Sequence, residues 1–331
     1  MIFFGILFFA VVIAAGAMYF GAEAKKSLIR QCSYGNVEIY NLLMNAKDYS
    51  PLKELMAKVE AHEDRYFVSL GISRLFPVEY LEDWLNNEPK SADALLCFGA
   101  RMVQLSWDAR GHGRGYEVSD EKWADFFKKL EKTKDILNRC AEANPNDPTP
   151  WAYLIMVSTW HSDDLDTRYH YFEQAIARDK NNWPAHLHMI IALSEKWGGD
   201  NEEMVLFAQE IVTTADEGSD LPVILIKAYI EYWKYLYLFE DKLEQAELFI
   251  NSEEIQSQAV AAYNKSLGSK LHCDTSTSIF ARYNASSWFW TVKDKALLKK
   301  ELDYLGNKIE DIHWSWAGSE GELEEARDFA K

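Results

Sequence analysis

Residues that break helices are scarce in this chain. Eight prolines and sixteen glycines in 331 residues leave long stretches dominated by Leu, Ala, Glu and Lys. β-branched residues are scattered and never gather into alternating runs, so the material is helix-forming. The four cysteines, Cys32, Cys97, Cys140 and Cys273, lie far apart with no CxxC spacing. That argues against a zinc ribbon or a thioredoxin-like motif and suits a reducing compartment. Basic charge is short as well: 35 Lys and Arg stand against 52 Asp and Glu, for a net charge of −17. Such a surface repels DNA, RNA and anionic headgroups, so no nucleic-acid partner is expected.

Catalytic signatures are also missing. There is no GxSxG elbow and no HExxH, and His272 beside Cys273 is adjacency in sequence only. His161, His170, His186 and His188 lie near Asp163, Asp164 and Asp166 without ligand spacing. His186 and His188, two apart on a predicted helix, point to different faces and cannot chelate together. The expectation is no metal, no cofactor and no enzymatic activity.

What is present begins with an apolar run. Residues 1–22 carry no charged side chain, and Glu23 is the first. As a helix they would be about 33 Å long, enough for a hydrocarbon core of roughly 30 Å. This predicts a transmembrane anchor over residues 1–24. Lys25, Lys26 and Arg30 follow the span, which predicts a single-pass protein of the inner (cytoplasmic) membrane with its globular part in the cytoplasm. A periplasm-facing binding module is the alternative. Residues 25–88 read as a juxtamembrane and small helical N-terminal region, with Ser50 as a helix cap and Pro51 at the first helical position.

Residues 89–310 show a period. Long helical segments are separated by "NNEPKS", "NPNDPTP" and "DKNNWP", and Pro150 and Pro184 are 34 residues apart. A 34-residue period of paired helices is the spacing of the tetratricopeptide repeat. Trp151, Leu154, Phe172 and Ala175 fall at its aromatic and small positions, while its usual glycine and tyrosine are missing. The fold expected is all-α: an N-terminal transmembrane helix, then a tetratricopeptide-like helix-pair solenoid, then a C-terminal tail or helix over 311–331. "LPVILIKAYIEYWKYLYLFED" (221–241) reads as a core helix, because Lys227, Glu231 and Lys234 form one polar stripe on it.

The stretch "WDARGHGRGYEV" (107–118) packs three glycines and two arginines into a few residues. A phosphate cradle needs a strand before the glycines. Here Leu95, Leu96, Phe98, Met102 and Val103 keep helical spacing, and Ser119 caps a second helix downstream. The stretch therefore reads as a joint between two helices. In "EKWGGDNEE", Gly198 or Gly199 supplies a helix C-cap, and Asp200 with Glu203 caps the next helix.

These motifs resemble a family of uncharacterised bacterial proteins that carry a domain of unknown function grouped with tetratricopeptide-like helical repeats. The resemblance covers roughly residues 90–310. It implies structural roles for Trp107, Arg110 and Gly111 of a Trp–x–x–Arg–Gly turn, for Trp123 of the following helix, and for Pro145 and Pro148 of the junction. It implies the same for Lys196, Trp197, Gly198 and Gly199. It implies a fold and no activity.

Aligning the two repeats on Pro150 and Pro184 places Ala152, Met156, Thr159, Trp160, Trp183, His186 and Ile190 on a concave groove. Met156, Trp160, Trp183, His186 and Ile190 are the partner-binding candidates. The function expected is a membrane-anchored, non-catalytic scaffold or adaptor that binds another protein or peptide of basic character in this groove, with the membrane met through residues 1–22. An enzyme using a site around Arg110, His112 and Arg114 is the alternative from a different class.

Overall fold

Capping side chains and a few prolines decide where the helices begin. The structure, a computed structural model, describes residues 22–111, 115–309, 314 and 323–331. The described residues form seventeen α-helices and no strand. The chain divides into two compact units, Met1–Asp163 and Asp164–Lys331. The division falls inside the stretch that reads as one repeat domain.

In the first unit the helices are α1 (Ala22–Ser33), α2 (Val37–Asn45), α3 (Ser50–Met56), α4 (His62–Ser73), α5 (Val78–Asn87), α6 (Ala92–Arg110), α7 (Asp120–Ala143) and α8 (Thr149–His161). Asn36, Ser91 and Ser119 each accept the backbone N–H three residues on. Each thereby satisfies one of the donors that a helix start leaves open. Pro51 and Pro150 sit in the first turns of α3 and α8, where no N–H is needed. Ser50 is the first residue of α3 and not its cap; Tyr49 holds that position, and Asp48 accepts the Ser50 N–H at 2.8 Å.

Helices α4, α6 and α8 touch one another at the centre of this unit. Helix α7 lies along α6 and α8, α5 covers α6, and α1 and α2 pack on α4. A helix enclosed on several sides keeps no polar stripe, and in α8 Ala152, Tyr153, Leu154, Ile155 and Val157 are all buried. The polar groups that remain inside are paired. The Arg65 guanidinium donates from Nε to Asp147 Oδ2 and from Nη2 to Asp93 Oδ1, both at 2.7 Å. Asp147 is fully buried and also accepts the Thr149 N–H at 2.9 Å. One cation on α4 thus ties α6 to the junction between α7 and α8.

The second unit contains α9 (Leu165–Arg178), α10 (Trp183–Leu193), α11 (Asn201–Thr214), α12 (Val223–Leu238), α13 (Leu243–Ile250), α14 (Glu253–Lys265), α15 (Ser278–Thr291), α16 (Lys295–Leu305) and α17 (Leu323–Ala330). Asp164, Asn182, Asp200, Ser252 and Asp294 cap α9, α10, α11, α14 and α16. Helix α12 is the hub, with α10, α11, α13, α14 and α15 against it. Its polar stripe is itself inside: Lys227 and Glu231 are each 5% exposed. A second buried network lies at α15, where Arg282 donates to Glu301 at 2.7 Å and to Asp274 at 2.9 Å. Tyr263 donates to Glu301, and Tyr304 to Asp274. Helix α17 packs on α16 through buried Ala326 and Ala330.

The membrane expectations are corrected. No helix among the described residues is long and apolar enough to cross a membrane, so the transmembrane anchor and the inner-membrane placement drawn from it do not stand. The run over residues 1–22 itself lies outside the described residues apart from Ala22. The orienting residues have another role: Lys25, Lys26 and Arg30 belong to α1, which buries Ile29 and Cys32 and packs on α2 and α4.

The buried ion pair yields a stability test. Removing Arg65 leaves Asp147 desolvated without its cation, so Arg65→Met should cost about 3–5 kcal/mol. The double variant with Asp147→Leu should recover much of that loss in urea denaturation.

Candidate functional site

Two local arrangements gather the motif residues. The first is the joint after α6. Gly111 ends that helix at φ 75° and ψ −170°, backbone open to glycine alone, and its N–H closes on Trp107 O at 3.0 Å. The Arg110 guanidinium lies 5.3 Å from the centre of the Trp107 ring and 4.8 Å from that of Trp123. Stacking of this kind is worth about 0.5–1 kcal/mol at an exposed site. Trp123 donates from Nε1 to Gly115 O at 3.3 Å, and Trp107 meets Trp160 edge to face at 5.0 Å. Partial burial lowers the Arg110 pKa from its ordinary value. Arg110 is therefore held as a clasp across the end of α6 and the start of α7. His112 and Arg114 lie outside the described residues.

The second arrangement is the turn that follows α10. Arg168 Nη1 donates to Ala192 O at 2.9 Å and to Trp197 O at 3.1 Å. Asn201 brackets Glu195 by donating to its carboxylate and accepting its N–H, both at 3.1 Å. Gly198 adopts φ 82° at the end of the short 3-10 turn. At Gly199 a Cβ would lie 2.1 Å from Leu193 O, so no other residue fits the approach. Lys196, held by this turn, reaches α12 and pairs with Glu231 Oε2; Lys227 pairs with Glu231 Oε1 at 2.8 Å. Burial alone would raise the Glu231 pKa. Lys227, Lys196 and Lys234 outweigh burial and hold it well below the ordinary carboxylate value. Burial pushes the Lys234 ammonium down to about 8, Glu231 opposes the shift, and Lys227 and Lys196 add to it.

Three of the five proposed partner-binding residues, Trp183, His186 and Ile190, are core residues. Trp183 and Ile190 are 1% and 0% exposed, and His186 is buried edge to face against Phe172 at 5.1 Å. Ala152 and Thr159 are buried too, while Met156 and Trp160 are half-buried. The alignment on Pro150 and Pro184 assigned an open face to helices that are enclosed. The four histidines are dispersed as well. His161 meets Asp163 at 2.7 Å, His186 donates to Asn182 O at 2.8 Å, and His188 is buried. Among the described residues no group of three or more His, Cys, Asp or Glu is placed to hold a metal ion.

One cluster has the composition of a nucleophile relay and the wrong order. Asp220 accepts from Ser278 Oγ at 2.6 Å and from His272 Nε2 at 2.9 Å. A relay needs the imidazole between hydroxyl and carboxylate. Here the carboxylate stands between them, so the imidazole has no access to the hydroxyl proton through this arrangement.

No protein-family model and no curated protein matches the chain. The resemblance to tetratricopeptide-like proteins therefore rests on the motifs themselves. Lys196 and the α12 stripe are both visible in the sequence, but the pairing of Lys196 with Glu231 is not. The signal was the i, i+4, i+7 spacing of Lys227, Glu231 and Lys234, which reads equally well as a solvated stripe. Nor does the sequence single out Leu238, Phe239, Leu243 and Leu248, which are exposed at the end of α12 and on α13.

Two outcomes follow from this geometry. Gly111→Ala should destabilise the fold by about 1–3 kcal/mol through its backbone angles. Gly115→Ala is its control: an added Cβ meets nothing closer than Trp123 at 3.9 Å, so the chemical denaturation midpoint should barely move. The second outcome concerns His188, whose pKa burial lowers from 6.5 to about 4. The fold favours the neutral ring, so this contribution is full above pH 6.5 and is lost as pH falls toward 4. The total loss is up to about 3 kcal/mol. In His188→Leu, urea midpoints measured across that window should fall less steeply with acid than in the wild type.

Proposed function

We propose that this chain is a non-catalytic protein-interaction module whose partner presents an apolar centre with a basic rim. One observation carries the reading. Leu238, Phe239, Leu243 and Leu248 are 41%, 62%, 49% and 67% exposed, while Trp233, Leu236 and Ala246 behind them are buried. Exposed apolar side chains scattered singly need no explanation, but a group at one corner of a fold marks a contact surface. Glu240, Asp241, Glu244 and Glu247 are exposed among them, on a chain of net charge −17. The acidic residues would speed encounter with a basic partner and be screened by salt, and the apolar side chains would set its residence time. The resemblance to tetratricopeptide-like proteins fits such a role. The contact surface assigned here replaces the groove expected from the repeat alignment.

The test uses the full chain and a basic amphipathic helical peptide, followed by fluorescence anisotropy. Saturable binding that weakens with salt is expected. The double variant Phe239→Ser, Leu248→Asp should bind roughly thirty-fold more weakly, the loss expected of a hot spot. Its circular dichroism should match the wild type, since both side chains are exposed. Peptide binding that the double variant leaves unchanged overturns the assignment of this corner, and absence of saturable binding overturns the partner chemistry.

A further inference from the structure

Helices α2 and α3 follow one another with only residues 46–49 between them, yet they rest on different neighbours. Helix α2 lies on α1 and α4, whereas α3 lies on α6. A cleft of about 320 Å³ opens between the two helices. That volume is at the small end of the range for ligand sites. Each helix turns the same register toward the cleft. Glu38, Asn41, Leu42 and Asn45 line one wall, and Pro51, Glu54, Leu55 and Lys58 line the other. Both sets are spaced i, i+3, i+4, i+7, the spacing of a single helical face. Leu42 is buried and Leu55 half-buried, so the deeper part of the lining is apolar. Glu38, Asn41, Asn45, Glu54 and Lys58 are exposed and form a polar rim.

The rim is rich in acceptors. Glu38 and Glu54 have no ion-pair or hydrogen-bond partner among the described residues. Asn45 donates from Nδ2 to Asn41 O at 3.0 Å, which leaves its own side-chain oxygen for another partner. Lys58 is the only cation in the lining, so two carboxylates and one ammonium leave a single negative charge. Other charged groups on these segments do not alter that sum: Lys53 pairs with Glu88, and Lys47 stands beside Asp48. An apolar interior beneath an acceptor-rich, singly negative rim suits a methylene stem that ends in a cation with N–H donors. We propose that this cleft binds a primary alkylammonium group, carried by a small free amine or by a lysine side chain. The stem packs on Leu42 and Leu55. The three ammonium donors are shared among the carboxylates of Glu38 and Glu54 and the amide oxygens. One such head balances the lining. The cleft belongs to the first unit, and its assignment does not rest on the corner between α12 and α13.

The experiment is a ligand-observed saturation-transfer NMR titration of the full chain with n-butylammonium. Saturable binding that weakens with salt is expected. The control n-butanol keeps the stem without the charge, and n-butyltrimethylammonium keeps the charge without the N–H donors. Each should bind more weakly than the primary amine. The double variant Glu38→Gln, Glu54→Gln should weaken binding by roughly tenfold, the loss of two exposed ion pairs. Lys58→Met should tighten it by roughly threefold. All three side chains are exposed, so circular dichroism of the variants should match the wild type. Nα-acetyl-lysine methylamide separates the two sources: binding equal to that of the amine assigns the shared head and stem, and no binding assigns the free amine. Absence of saturable binding, equal binding of either control, or binding intact in the double variant overturns the site.

Discussion

A helix enclosed on every side has to satisfy whatever polar groups it carries from inside the fold. In each unit this requirement falls on central helices, and each meets it with ion pairs. Arg65 on α4 is answered by Asp93 and Asp147, and Arg282 on α15 by Asp274 and Glu301. Breaking such a pair is costly because one buried charge is left behind, even where the intact pair adds little. The junctions between helices are arranged around these obligations. The segment that carries Asp147 and the segment that carries Asp274 have little regular structure of their own, and side-chain bonds to enclosed cations hold them in place. Helix α12 meets the same requirement only in part. Lys227 on the helix and Lys196 from the turn after α10 share the single carboxylate of Glu231, while Lys234 is only half-buried.

An arginine clasp recurs at the two motif-bearing turns. At one, a guanidinium lies between two indoles; at the other, a guanidinium reaches two carbonyls that end a helix. Both use Arg for its planar, many-donor head, which Lys would not reproduce. Each turn also needs a glycine for a different reason: Gly111 for its dihedral angles and Gly199 for lack of space. The two turns are tight joints, and the exposed leucines and phenylalanine of the α12–α13 corner lie apart from them in the sequence.

Much of the fold was legible because its signals are local. Ser119 and Asp200 cap helices as their spacing suggests, and α12 is a core helix, as its charges against a lipid span implied. Burial direction was not legible from the same rows. Trp183 and Ile190 lie on a helix so apolar that no face stands out, and choosing an open side by repeat alignment put core residues on the surface. Hydropathy likewise cannot report which partner encloses a charged stripe. The fate of Lys227 and Glu231 depended on Lys196, which is 31 and 35 positions away. The exposed corner was hidden for the opposite reason, since its leucines and phenylalanine look like core residues until burial is known.

The pairing of Arg65 also has a consequence for how the first unit is built. Its helices pack mainly on neighbours one to three places along the chain, an arrangement of low contact order that favours fast assembly. The bond from Arg65 to Asp147 is different, because it joins residues 82 positions apart. During synthesis α4 and α6 emerge with only Asp93 to answer the cation, and the second carboxylate arrives with the chain leading into α8. The order of emergence makes this long-range tie a late closure, one that locks a nearly finished helical stack and does not start it.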